Sequence, residues 1–170
     1  EPMDVSRLAA VLRPTLDRLG LRVVIEPGRA VSGPAGFLLT RVLYIKRGGR
    51  KTFAIVDAGM NDLMRPALYE AYHRIVVDGP ARGRRRPYDV VGPICESSDF
   101  LAKGHTLPPL SRGDLLVVCD AGAYGMSMAS NYLSRPRPAE VMVRGRRHGL
   151  ARRRETLDDI TACEQTPDFL

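Results

Sequence analysis

Four short segments of this chain gather residue types that bind or transform charged small molecules. Glu26-Pro27-Gly28-Arg29 sets a carboxylate and a guanidinium on either side of a Pro-Gly turn. Glycine lets backbone approach a ligand closely, neighbouring N–H groups in such a turn cradle an oxyanion, and Arg29 adds a fixed positive fork. Asp57-Ala58-Gly59-Met60-Asn61-Asp62 is followed by Arg65-Pro66-Ala67-Leu68-Tyr69. If Pro66 opens a helix, Arg65 and Tyr69 lie four apart and offer a guanidinium and a phenol to one carboxylate. Gly92-Pro93-Ile94-Cys95-Glu96-Ser97-Ser98-Asp99 packs a thiol, two carboxylates and two hydroxyls behind a Gly-Pro turn. Asp120-Ala121-Gly122-Ala123-Tyr124-Gly125 holds Tyr124 between glycines, where its ring can lie against a planar ligand. Each segment also has a plainer reading: a solvated turn, an Arg stacked on a surface Tyr, a polar loop with a half-buried Cys, a Tyr packed over a tight turn.

The rest of the chain must position these loops. Its 170 residues, 44% apolar and 26% charged, suit one globular domain that removes roughly 70% of its unfolded surface from water. They fit neither disorder nor a bilayer span. An excess of 26 Lys and Arg over 19 Asp and Glu, with a sequence pI near 9.8, favours an anionic partner. With no Trp and 6% aromatics there is little from which to build a stacking platform for single strands. Cys95, Cys119 and Cys163 are odd in number and far apart, and His73, His105 and His148 are equally scattered. No metal site is expected, and a reducing compartment suits the cysteines. No charged-then-apolar leader precedes the chain, which makes the cytoplasm the expected location.

Val5, Leu8, Leu12, Leu16 and Leu19 follow helical spacing, with Asp4 and Gly20 as caps and a kink or break expected at Pro14. Residues 21–25 form an apolar run without alternation, the pattern of a strand buried on both faces of a parallel sheet. A short apolar helix is expected over 34–39. From Thr40 onward the pattern turns to β: a hairpin of 41–46 and 51–57 around Gly48-Gly49, then strands at 74–77, 88–91, 115–119, 140–144 and 149–153, with helical pieces at 66–71 and 156–163. Residues 81–86 read as a basic loop. So many short strands bury their apolar faces only if two sheets pack or one closes. The expected fold is mainly β with α: a β-sandwich or barrel-like domain over 40–170, preceded in 1–39 by the last helix-strand piece of an incomplete (β/α)8 barrel.

Taken together and in this order, the four segments, with Ser130-Asn131-Tyr132 and Arg135-Pro136, resemble the carboxyl-terminal part of the diaminopimelate decarboxylases, pyridoxal-phosphate enzymes of the alanine-racemase-like fold type. The resemblance runs from about residue 4 to residue 160. It implies an eight-stranded α/β barrel holding the cofactor, followed by a β-sandwich-like domain. Glu26, Gly28, Arg29 and Tyr124 would contact pyridoxal 5'-phosphate. Arg29, Arg65 and Tyr69 would grip the distal carboxylate of meso-diaminopimelate, with Tyr124 also against the substrate. Glu96 would take the distal ammonium and Cys95 would stand near the reacting carbon, both reaching across a homodimer interface into the partner's site. Cys95 and Glu96 are thus the catalytic candidates, and the implied reaction is decarboxylation to L-lysine. Neither nucleic acid nor a membrane is an implied partner.

The family's imine-forming Lys, ring-stacking His and Gly-rich phosphate loop have no counterpart in these residues, and Leu133 stands where the family more often has Asn. The sequence thus reads as a fragment or one half of a split protein. Two other readings use the same residues: a basic β domain binding nucleic acid through Arg82, Arg84, Arg85, Arg86, Arg146, Arg147, Arg152, Arg153 and Arg154, and a non-catalytic dimerisation domain. The lone chain, mixed with pyridoxal phosphate and the diamino acid, is expected to give no imine absorbance and no carbon dioxide, and turnover would refute the fragment reading.

Overall fold

The computed structural model describes residues 4–80 and 83–169; Ala81 and Arg82 of the expected basic loop lie outside them. Helix α1 (Val5–Leu19) starts where the Asp4 carboxylate accepts the Ser6 and Arg7 N–H groups, at 2.9 and 3.1 Å, and ends where Gly20 turns left-handed at φ 60°. It continues through Pro14, so of the kink or break expected there the break does not occur. None of its residues is buried: Val5, Leu8, Leu12 and Leu19 stay exposed.

Residues 21–27 correct a second expectation, since they form no strand and Val23, Val24 and Ile25 are exposed. A parallel strand needs a hydrogen-bonded neighbour, and among the described residues none lies beside this segment. The helix expected over 34–39 is also displaced. The helical turn α2 spans Arg29–Ser32 and tightens into a 3-10 turn at Gly33–Ala35; Gly36 is extended, and β1 begins at Leu38. Pairing of residues 38–41 with a distant strand overrides local helical preference there.

Strand β1 (Leu38–Gly48) is 11 residues long and serves two neighbours. Its first part pairs antiparallel with β6 (Leu115–Val118), and beyond a bulge between Val42 and Tyr44 it pairs with β2 (Lys51–Val56). The turn between β1 and β2 has Gly49 at φ 57° as its first central residue, as the twist of a two-residue hairpin demands. With β3 (Ile75–Val77), β4 (Arg86–Val91) and β5 (Phe100–Leu107), the sheet runs β3-β6-β1-β2-β4-β5, β2 and β4 being parallel.

This mixed sheet curls into a nearly closed barrel, because the edge strands β3 and β5 meet through a side chain: His105 Nε2 lies 3.3 Å from the Ile75 nitrogen and 3.1 Å from its carbonyl oxygen. Inside are Val42, Ala54, Val56, Val90, Leu101, Leu107, Leu116 and Val118. Tyr88 belongs to this core through its ring, while its hydroxyl accepts from Arg86 Nε at 2.6 Å and from the Leu110 N–H at 3.0 Å.

Strand β5 escapes the sequence pattern because Lys103-Gly104 interrupts it. Gly104 is left-handed at φ 62°, and its N–H donates to Asp89 at 2.7 Å. The helix expected over 66–71 is α3 (Arg65–Tyr69), and α4 (Leu157–Thr161) carries the expected Thr156 cap. Among the described residues no helix is long and apolar enough to cross a membrane.

Strands β7 (Glu140–Arg144) and β8 (Arg147–Arg152) form a separate hairpin. Its base is closed by Glu155, which accepts from the Arg137 guanidinium, from the Arg137 N–H at 2.8 Å and from Asn131 Nδ2 at 2.6 Å. These donors pull the Glu155 carboxyl down to about 2. A depressed carboxyl contributes stability that is present above its unfolded value and lost as pH falls through the folded one. The urea midpoint of E155Q is therefore expected below that of the unsubstituted chain at neutral pH. The gap should hold down to about pH 5 and close between pH 4 and 2; a gap independent of pH would show that the charge of Glu155 is irrelevant.

Candidate functional site

The Gly28-Arg29 loop and the Tyr124 loop are joined main chain to main chain. The Gly122 N–H donates to the Gly33 carbonyl at 3.1 Å and the Ala121 N–H to the Gly36 carbonyl at 2.9 Å. The contact leaves no space for side chains: a Cβ on Gly36 would fall 2.4 Å from the Gly122 Cα, and one on Gly122 would fall 2.1 Å from the Ser32 carbonyl oxygen. Gly28 sits at φ 38°, ψ −104°, a conformation of glycine. Two residues beyond Gly122, Tyr124 is held at φ 57° with its side chain exposed. A left-handed Tyr costs about 1 kcal/mol or more, a strain the packed glycines on either side sustain. Glu26, Gly28 and Arg29 are all exposed on this face.

Helix α3 carries Arg65. His73, 2% exposed, directs Nδ1 at the Cys119 carbonyl oxygen, 2.9 Å away, and Nε2 at Arg65 Nη1, 3.4 Å away. Burial pushes the imidazole below its ordinary value, against the pull of the Cys119 carbonyl, and the positive charges of Arg65 and Arg29 push it the same way. A neutral ring that donates from Nδ1 presents an acceptor at Nε2, so His73 orients the Arg65 guanidinium. Arg29 and Arg65 thus act on one buried imidazole from two segments. Tyr69, in the last turn of α3, is exposed.

Cys95 and Glu96 stand on a different structure. Asp57 closes the end of β2, accepting from Thr40 Oγ1 at 2.6 Å and from the Arg41 N–H at 2.8 Å. The turn that follows is tied by Asp62, which accepts the Gly59 N–H at 2.8 Å. Asp99 joins this turn to the 92–99 loop: it accepts the Met60 N–H at 2.7 Å and the Ile94 N–H at 2.6 Å. Burial pushes the Asp62 and Asp99 carboxyls above their usual range, opposed by these N–H groups and by the Arg135 guanidinium. Arg135 in turn donates from Nη2 to the Asp57 carbonyl at 2.8 Å. Cys95 and Glu96, between Ile94 and Asp99 on this platform, are exposed.

The structure therefore sets the segment that follows Arg29 against the loop that carries Tyr124, and places Arg65 against His73, whose ring also feels the charge of Arg29. Among the described residues no hydrogen bond or ion pair joins Arg29, Arg65 or Tyr124 to Cys95 or Glu96. Sequence reasoning passed over His73 as one of three scattered histidines; its signal, a His eight residues beyond Arg65, has no local periodicity. Leu133, at φ 55°, and Ser134, at φ 53°, occupy consecutive left-handed positions, where the Asn expected from the resemblance is better suited. Of the basic run, Arg152 pairs with Glu140 at 2.7 Å and Arg153 with Asp159 at 2.5 Å, so part of that charge is neutralised within the chain.

A nearly closed sheet barrel carrying these loops matches a known sequence profile, the C-terminal sheet domain of pyridoxal-dependent decarboxylases, over residues 15–122. The chain belongs to that family. Within it, the chain is 52% identical over 147 residues to the diaminopimelate decarboxylase of Haemophilus influenzae, an alignment covering 86% of this chain and 35% of that protein. The crystal structure of diaminopimelate decarboxylase from M. jannaschii in co-complex with L-lysine superposes with a TM-score of 0.87 at 38% identity, over 96% of this chain and 38% of that one. The Helicobacter pylori enzyme complexed with L-lysine gives 0.83 at 43% identity, over 95% and 40%. The chain thus spans well under half the length of each relative.

The glycine junction makes a direct prediction. Gly36→Ala and Gly122→Ala are each expected to lower unfolding free energy by about 1–3 kcal/mol through overpacking. Gly149→Ala, where nothing lies within 4 Å of an added Cβ, should stay within about 0.5 kcal/mol. Urea denaturation of the three variants checks this; equal stabilities would mean the loops do not abut.

Proposed function

We propose that this chain works as the substrate-recognising part of a pyridoxal-phosphate-dependent decarboxylase that converts meso-diaminopimelate to L-lysine. In this reading residues 1–39 are the end of an α/β barrel and 40–170 the sheet domain. The observation that carries it is the junction of the Arg29 and Tyr124 loops, with Arg65 oriented beside them by His73, in a chain about half identical to diaminopimelate decarboxylases. The first curated and solved relatives are two to three times as long, which leaves room for a barrel carrying the imine-forming lysine.

The residues present fit one side of such a cofactor. Gly28 and Arg29 offer main-chain N–H groups that donate to no other backbone group among the described residues, and the Arg29 side chain adds a guanidinium, a combination suited to a phosphate. Tyr124 offers a ring on an exposed, rigid turn. The lysines are engaged elsewhere or remote: Lys51 pairs with Asp89 at 2.8 Å, Lys103 lies 3.7 Å over the Phe100 ring, and Lys46 is in the β1–β2 hairpin. When bound, pyridoxal phosphate supplies an electron-accepting ring that takes up the electron pair left as carbon dioxide departs.

This chain's own contribution is orientation. Arg29, Arg65 and Tyr69 hold the distal carboxylate, bidentate geometry fixing the direction of the substrate's long axis. Glu96 accepts the distal ammonium, and together with the grip on the distal carboxylate this selects a molecule with two amino-acid ends over a simple diamino acid. In this reading Cys95 and Glu96, which share no hydrogen bond or ion pair with Arg29, Arg65 or Tyr124 among the described residues, serve the site of a second subunit in a two-fold dimer. Glu96→Gln, made in the full-length enzyme with its barrel, is expected to raise KM for meso-diaminopimelate roughly 10- to 100-fold, the worth of a charge-assisted contact, as followed by carbon dioxide release. An unchanged KM would remove Glu96 from the site, and absence of any release by the unsubstituted enzyme would overturn the function.

A further inference from the structure

The 92–99 loop is wound around one of its own side chains. Asp99 is 5% exposed, and its two carboxylate oxygens take two separate backbone N–H groups, Met60 on Oδ1 and Ile94 on Oδ2. Its main chain is engaged as well: its N–H donates to the Glu96 carbonyl at 3.0 Å, and its carbonyl accepts the Gly92 N–H at 3.1 Å. Cys95 is therefore bracketed, the residue before it held by the Asp99 side chain and the residue after it by the Asp99 backbone.

The surrounding main chain is shaped to admit this carboxylate. A Cβ on Gly92 would lie 2.4 and 2.6 Å from its two oxygens, and one on Gly59 would lie 2.9 Å from Oδ1. Glycine at both positions is the condition for the side chain to fit. Buried carboxylates are costly unless hydrogen-bonded and compensated; here two N–H groups and the nearby Arg135 guanidinium supply that compensation, while Asp62 opposes it. An apolar residue at this position would leave the Met60 and Ile94 N–H groups without their acceptor, so the carboxylate fixes the course of the loop around Cys95.

We propose that Asp99 is a positioning residue that sets the aim of Cys95 and Glu96, and through them recognition of the substrate's distal ammonium. The proposal rests on the functional reading given above. Asp99→Asn keeps the size of the side chain but turns one acceptor into an NH2 group facing an N–H donor. Gly92→Ala leaves the charge intact and displaces it.

The test is made in the full-length holoenzyme with D99N, G92A, E96Q and the D99N/E96Q double variant, measuring kcat and KM for meso-diaminopimelate beside cofactor absorbance and thermal midpoint. D99N and G92A are each expected to raise KM about tenfold or more with a smaller change in kcat, as a displacement near 1 Å does. The double variant should have the KM of E96Q alone, because both changes disable one contact. Independent, multiplying effects of D99N and E96Q on KM would overturn the proposal. So would an unchanged KM in D99N and G92A when E96Q raises it, or failure of both D99N and G92A to give soluble, cofactor-bearing protein, which would assign Asp99 to folding alone. An unchanged KM in E96Q would instead fault the functional reading itself.

Discussion

The candidate site depends on a place where two stretches of backbone touch with nothing between them. The segment containing Gly33 and Gly36 and the segment containing Gly122 are almost ninety residues apart in sequence, as their numbers show, yet exchange two main-chain hydrogen bonds at a separation no side chain could share. That junction decides where Arg29 stands relative to Tyr124. It also supports the strained backbone of Tyr124, whose left-handed conformation persists because Ala121, Gly122 and Gly125 fit closely around it. The aromatic ring is thereby kept out of the core and exposed.

A second, independent set of constraints holds Cys95 and Glu96. It is polar, and its members come from loops: the Asp57 turn, the 92–99 loop and Arg135. The apolar core fixes the strands but ends at their rims, so the orientation of anything projecting from the rim must come from hydrogen bonds. Asp57, Asp62 and Asp99 each receive backbone N–H groups there. The two halves of the proposed recognition surface are thus built by different physics, close backbone contact for one and buried carboxylates for the other.

Much of this was legible in the sequence, and the exceptions are instructive. The hairpin around Gly49, the strands at 75–77, 86–91, 115–118, 140–144 and 147–152, and the helix opened by Pro66 all follow local rules, because alternation, Gly turns and a proline at the first helical turn are short-range signals. Strand number alone left two packed sheets and one closing sheet open, and the long-range pairing of β1 with β6 and the contact of β3 with β5 give the nearly closed sheet. Strand β5 was hidden by its Lys103-Gly104 interruption, which the structure explains through the Asp89 bond. Residues 21–25 carry a strand's composition but pair with no strand among the described residues, since a pairing is a property of two segments and composition of one. His73 and Asp99 could not be given their roles, because the partners that define them, Cys119, Arg65 and Met60, are remote or locally unmarked.

Strand β1 links these observations to the order in which the molecule assembles. Its second half pairs with β2 across a two-residue turn, a contact between near neighbours that forms in microseconds. Its first half pairs with β6 only after the intervening seventy or so residues have been gathered, a closure whose entropy is spent before any contact repays it. The bulge at Leu43 is where the early and the late half meet. Because the glycine junction lies just before the half that pairs with β6, the Arg29 and Tyr124 loops depend on this long-range closure and not on the local hairpin.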